Sequence, residues 1–185
     1  ILGMNLDIEY IMPAHGIIWK DYIADIIETY KDIATQKAAN KAVIVYESVW
    51  KHTQQIAESL AEGFSDADMD VKVYQLSDTK SSIVMREIMD AKVVCIGSGT
   101  YNNVMAPSVA AFLEHIRPCK FKNKKGLAFA AYGWFNQVAK EIDTRMQQSG
   151  IESCHDVINQ CYTPSDDQLE DYFNVAKEIA KNCQE

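Results

Sequence analysis

Hydrophobic positions change their period repeatedly along this chain, and each change marks an element. Lys41–Glu47 reads KAVIVYE, a β-branched run with little polar interruption, which predicts a buried strand. Thr53–Phe64 places Ile56, Ala57, Leu60 and Phe64 at helical spacing. Asp70–Gln75 alternates, with Val71 and Val73 followed by Leu76, and reads as a second strand. Ser82–Met89 is helical, and Lys92–Gly97 (KVVCIG) is a third strand. Pro107 opens a helix to Ile116, since a proline in the first turn lacks only an N–H that would have no helical partner. Lys125–Ala131 (KGLAFAA) is a fourth strand, and Phe135–Gln148 a helix with Gly150 as its stop. Ile151–Gln160 reads as a fifth strand, and Asp166–Asn182 as a closing amphipathic helix with Ser165 at its N-cap.

Strands alternating with helices imply a parallel sheet covered on both faces, an α/β fold. Five such units after residue 40 match the three-layer, doubly wound, flavodoxin-like arrangement. Its five-stranded parallel sheet has the order 2-1-3-4-5, which is borrowed from that fold and not legible in the periodicity. Residues 1–40 stand outside the repeat. Asp7–Met12 reads as a short strand ending in Pro13-Ala14-His15-Gly16. A helix from about Asp21 to Thr35 follows, with Tyr22, Ile23, Ile26, Ile27, Tyr30 and Ile33 on its apolar side. The polar stretch Thr35–Lys41 is a linker, so the expected boundary separates 1–40 from 41–185.

Bulk composition narrows the function classes. A net charge of −8 argues against a nucleic-acid backbone as the main partner. Five cysteines, an odd number without a CxxC pair, argue against a disulfide framework or zinc site and suit free thiols in a reducing cytoplasm. No apolar run is long enough to span a membrane. The start, Ile1-Leu2-Gly3-Met4, lacks the basic and apolar regions of a signal peptide, and opening on Ile1 reads as a piece of a longer protein.

In a doubly wound sheet a ligand lies at the carboxyl edge, where neighbouring crossovers leave in opposite directions. Three loops reach that edge. Glu47–Thr53 joins strand to helix, so N–H groups and the helix dipole face an anion, with hydroxyls from Ser48 and Thr53 and positive charge from Lys51 and His52. It is not a Walker loop, and it reads equally as an N-capped turn. Gly97–Asn103 (GSGTYNN) permits close approach to a flat ligand and offers the Tyr101 ring, and it reads equally as a turn-rich connection. Ala131–Gln137 (AYGWFNQ) sets three aromatics around Gly133, and being nearly consecutive they cannot all face the core.

With these residues in view, the chain resembles the carboxyl-terminal part of the flavodiiron proteins (A-type flavoproteins). These join a metallo-β-lactamase-like domain, carrying a non-haem diiron site, to a flavodoxin-like FMN domain, and reduce dioxygen or nitric oxide. Pro13-Ala14-His15-Gly16 and Trp19 resemble the end of the diiron domain. The family's Y-x-S-M-Y-G-x-T stands here as Tyr46–Thr53, its G-S-P-T-x-N-N as Gly97–Asn103 and its S-Y-G-W-S-G-E as Ala131–Gln137. The resemblance implies FMN binding through Ser48, Val49, Trp50, Lys51, His52 and Thr53 at the phosphate. It places Thr100, Tyr101, Asn102 and Asn103, with Gly133, Trp134, Phe135 and Asn136, beside the isoalloxazine. It makes His15 an iron ligand of a full-length protein, whose remaining ligands would lie upstream; His52, His115 and His155 share no ligand spacing. It also implies a rubredoxin-like electron donor and a homodimer.

The expected function is therefore an electron-transfer module, part of an oxidoreductase, with no catalytic acid or base of its own. The chain departs from the family pattern where a glycine is Lys51, a proline is Gly99, and Ser-Gly is Phe135-Asn136. Those departures motivate the alternative of a flavodoxin-like interaction module without FMN. A stand-alone flavin-dependent reductase of NAD(P)H or quinones is another alternative, although nothing marks a nicotinamide site. A response-regulator receiver is set aside, because Gly97-Ser98-Gly99-Thr100 carries no acid.

Overall fold

Alternate residues of the same strands feed two separate cores. Val43 and Val45, Val94 and Ile96, and Ala128 and Ala130 enter one. Ala42 and Ile44, Val93 and Cys95, and Leu127 and Phe129 enter the other. This period of two follows from the pleat and explains why these strands show no polar alternation. The computed structural model describes residues 7–184. The reading of Ile1–Met4 as leaderless lies outside the described residues.

The chain divides into two units, Ile1–Lys37 and Ala38–Glu185. In the first, Ile11 and Trp19 form an antiparallel bridge through two hydrogen bonds of 3.0 Å. Among the described residues, the strand expected over Asp7–Met12 is reduced to that bridge. Helix α1 (Ile23–Thr35) starts after Tyr22, whose positive φ of 59° shortens the helix expected from Asp21. Among the described residues, none of α1 is buried within this chain.

The second unit runs β1 (Lys41–Glu47), α2 (His52–Asp66), β2 (Asp70–Gln75), α3 (Ser81–Met89), β3 (Val93–Tyr101) and β4 (Val104–Met105). It continues with α4 (Pro107–Ile116), β5 (Lys125–Tyr132), α5 (Val138–Gln148), β6 (Glu152–Ser153), β7 (Ile158–Cys161) and α6 (Asp166–Gln184). The parallel strands lie in the order β2-β1-β3-β5, and β6 and β7 share the last position beside β5. Helices α3, α4 and α5 pack on one face, α2 and α6 on the other. This is the expected flavodoxin-like α/β fold, with seven strands instead of five.

Two differences account for the count. The strand expected over Ile151–Gln160 is broken: Cys154 N–H still reaches β5, donating to Gly126 O at 3.0 Å, but beyond it the segment bonds locally, with His155 Nδ1 2.8 Å from Asp156 O. The other is β4, which pairs antiparallel with the end of β3. The helix expected from Phe135 starts three residues later, at Val138, because Phe135 turns inward against the first core.

Gly97 shows how tightly the sheet is filled. A Cβ there would stand 2.1 Å from the ring of Phe129, which is fully buried. Gly97→Ala is expected to lower stability by about 1–3 kcal/mol through overpacking, read as a lower urea midpoint with an unchanged slope.

Lys124 is the one lysine buried to 2 % exposure. Its Nζ donates to Met89 O (2.9 Å) and Ala91 O (3.0 Å), at the carboxyl end of α3, where a cation suits the helix dipole. Burial pulls the ammonium down to about 8, against the pull of Asp90 in the other direction. Below that pH the group is charged in both states, and the folded chain bears the full desolvation cost. Between about 8 and the ordinary lysine value of about 10.4, the folded chain has lost a proton that the unfolded chain keeps, so this contribution raises stability with pH. Cys95, Cys154 and Cys183 act oppositely, since burial raises each thiol. The Lys124 contribution is therefore isolated as a difference. The stability of the chain relative to Lys124→Met is expected to rise from pH 8 to pH 10, checked by urea titrations at each pH.

Candidate functional site

The parallel sheet gathers the carboxyl ends of β1, β3, β5 and β7 along one edge. After β1 the chain crosses to α2 on one face, and after β3 and β4 to α4 on the other. This divergence opens a crevice at the strand ends.

In the first loop, buried Glu47 is the anchor. Its Oε1 accepts from Ser48 N–H (3.1 Å) and Gln75 Nε2 (3.0 Å), and its Oε2 from Ser108 Oγ (3.1 Å). The carboxylate thus ties the loop to the end of β2 and the first turn of α4. Lys51, the residue at the N-cap position of α2, holds φ 65°, ψ 0°, the left-handed conformation that glycine adopts freely. The first turn of α2 has no side-chain cap, so its N–H groups are placed to meet an anion. Thr53 is buried beside Gly99, where an added Cβ would stand 3.7 Å from Thr53 Oγ1.

The second loop is a tight hairpin. Tyr101 pairs with Val104, and the two residues between them, Asn102 and Asn103, have φ 46° and 68°. Asparagine tolerates this conformation better than most residues, which explains the Asn-Asn pair. Buried Ser98 fixes the return by accepting from Ala106 N–H (2.8 Å) and donating to Gly99 O (2.7 Å). Burial pushes the Tyr101 phenol up, and the charge of Glu47 adds to this.

In the third loop Trp134 projects outward at 82 % exposure, and its Nε1–H donates to Asn103 Oδ1 at 3.2 Å. Thr100 Oγ1 donates to Phe135 O at 3.4 Å. The second and third loops are therefore bonded to each other.

These loops enclose a cleft of about 410 Å³. Ser48, Val49, Trp50, His52 and Thr53 line it from the first loop, Thr100 and Tyr101 from the second, and Gly133 and Trp134 from the third. Lys51, Asn102, Asn103, Phe135 and Asn136, singled out in the sequence, do not line it. Asn102 and Asn103 form the hairpin tip, Phe135 faces the core and Asn136 is exposed. The lining adds Gly99, Ala131, Tyr132 and Tyr162. The first three lie inside the motifs already quoted. Tyr162 ends the fifth strand position at the same edge, and that placement was its one available signal.

His15 is exposed in the first unit, within the loop that the Ile11–Trp19 bridge closes. Among the described residues, no group of three or more His, Cys, Asp or Glu side chains gathers as a metal site.

Residues 44–175 match the model of the family described as Flavodoxin. The chain is 32% identical over 183 residues to an anaerobic nitric oxide reductase flavorubredoxin of Pectobacterium carotovorum, covering 98% of this chain and 36% of that one. The rubredoxin oxygen:oxidoreductase of Desulfovibrio gigas superposes with a TM-score of 0.91 at 32% identity, covering 95% of this chain and 44% of that one. The flavodiiron protein of Giardia intestinalis does so with a TM-score of 0.89 at 26% identity, covering 96% and 44%. The chain thus spans less than half the length of these relatives.

The left-handed conformation of Lys51 makes a sharp prediction. Relief of about 1–2 kcal/mol of backbone strain outweighs the extra freedom of an unfolded glycine, about 0.4–1 kcal/mol. Lys51→Gly is therefore expected to stabilise the ligand-free chain by up to about 1.6 kcal/mol, read from its urea midpoint.

Proposed function

The chain belongs to the flavodoxin family, in the form that flavodiiron proteins carry as their carboxyl-terminal domain, and from this we propose that it binds FMN and serves as an electron-transfer module. The observation carrying the proposal is the convergence of three loops on one cleft, whose lining includes the uncapped start of α2 together with the rings of Tyr101 and Trp134.

The residues fit the cofactor. The N–H groups of the first turn of α2 and the hydroxyls of Ser48 and Thr53 would hold the phosphate, with Lys51 adding charge. Tyr101 and Trp134 would flank the isoalloxazine. Lys51 holds a left-handed conformation of the kind a glycine adopts freely, so the departure from glycine is compatible with a formed loop. Bound flavin supplies the redox chemistry, and the protein supplies its binding and surroundings. In a whole protein we place residues 1–40 at the end of a metallo-β-lactamase-like domain, with His15 as a ligand of a non-haem diiron centre that receives the electrons. The names of the relatives, flavorubredoxin and rubredoxin oxygen:oxidoreductase, support a rubredoxin-like donor. A homodimer belongs to the same reading.

The test is a visible absorption spectrum of the purified chain after incubation with excess FMN and desalting. A retained flavin band is expected, and a colourless protein whose melting temperature ignores FMN would sink the proposal in favour of a cofactor-free module. Thr53→Val is expected to weaken FMN binding by about tenfold or more through loss of a charge-assisted hydrogen bond, while riboflavin, which lacks the phosphate, binds it as before. Fluorescence titration with both flavins reads the difference.

A further inference from the structure

The loops that the sequence singles out follow the first, third and fourth strands, yet the cleft has a wall from the end of the fifth strand position. We infer that the turn after β7 is a fourth arm of the flavin site, in which Tyr162 contacts the ring system and Thr163 positions His52 at the phosphate end. This rests on the FMN reading above.

Tyr162 lines the cleft, is 62 % exposed and holds φ 57°. A left-handed tyrosine is rare, and such conformations persist where the surroundings over-determine them. Here the restraints are visible. The Tyr162 N–H donates to Tyr132 O at 2.8 Å, one step beyond the Tyr132–Cys161 pair that ends the β5–β7 ladder. The ring lies against Gly133, where an added Cβ would stand 3.4 Å from Tyr162 Cε1 and Oη. The ring and the Gly133 backbone thus lie within van der Waals reach and together line the wall beside Trp134. An aromatic face presented on a fixed backbone suits a flat conjugated ligand.

Thr163 carries the second contact. Its Oγ1 is 3.1 Å from Nδ1 of His52, the first residue of α2. A bond at Nδ1 orients the imidazole and leaves Nε2 for another partner. The chain beyond is also fixed, since Ser165 Oγ accepts from Gln168 N–H (3.3 Å) and Gln168 Oε1 accepts from Ser165 N–H (3.0 Å). This reciprocal pair starts α6, so the arm is held at both ends.

The experiment titrates the chain and its variants with FMN and with riboflavin, following the quenching of flavin fluorescence. Tyr162→Gly keeps the positive φ and removes the ring, so it is expected to bind both flavins about five- to tenfold more weakly, while Tyr162→Phe stays within about twofold of the parent. Thr163→Val is expected to weaken FMN by a few-fold and to leave riboflavin unchanged, a split that general loosening of the fold would not produce. Circular dichroism and melting temperature check folding; should Tyr162→Gly unfold, Tyr162→Asn, also at home at positive φ, makes the same comparison. If the unsubstituted chain retains FMN and these variants bind as it does, this inference alone falls. If the unsubstituted chain binds neither flavin, the cofactor reading falls and takes this inference with it.

Discussion

Every residue of β1 is buried, and a strand hidden on both faces can be reached from solvent only at its ends. That constraint governs the rest of the molecule. The sheet is filled from both sides, down to a glycine at Gly97 that Phe129 will not allow to grow. Chemistry is therefore excluded from its middle and displaced to its carboxyl edge, where strand ends give way to exposed loops. Rigidity in the strands and freedom in the loops are two aspects of one packing arrangement.

The loops are less free than their composition suggests. Glu47 ties the first to β2 and α4, Ser98 closes the second, and Trp134 joins the third to the second. Each of these bonds holds a segment that contributes residues to the lining. The aromatic residues at the rim remain exposed, Trp50 at 79 % and Trp134 at 82 %, so the anchoring is polar and the contact surface apolar. This is the usual division of labour in a site that binds a planar ligand.

The fold was legible because its central strands are short uninterrupted apolar runs and its helices carry clear apolar faces, as KAVIVYE and the Ile56-Leu60-Phe64 stripe show. Where local bonding competes with period, the reading blurred. The fifth strand broke beyond Cys154, and a strand at the start of the chain shrank to one bridge. Among the expected site residues, those lining the cleft are the ones whose neighbours fix the backbone, such as Thr53 and Tyr101. Asn102 and Asn103 were chosen by the sequence for a backbone reason, the hairpin turn, and a motif cannot separate that from contact. Phe135 stands outside the lining: nearly consecutive aromatics cannot all face the core, and periodicity does not say which one turns in. Tyr162 escaped notice because its role comes from where the fifth strand ends, a property of topology.

Glu47 has a consequence beyond bracing. It accepts three hydrogen bonds, and its charge is felt at the Tyr101 phenol, in the lining of the cleft. A carboxylate fixed there opposes the arrival of further negative charge, and partial burial weakens the screening that would mute it. Any ring that gains an electron in this cleft does so against that field. Were FMN bound as proposed, its reduction potential would be set in part by a residue outside the lining, one that also holds a loop in place.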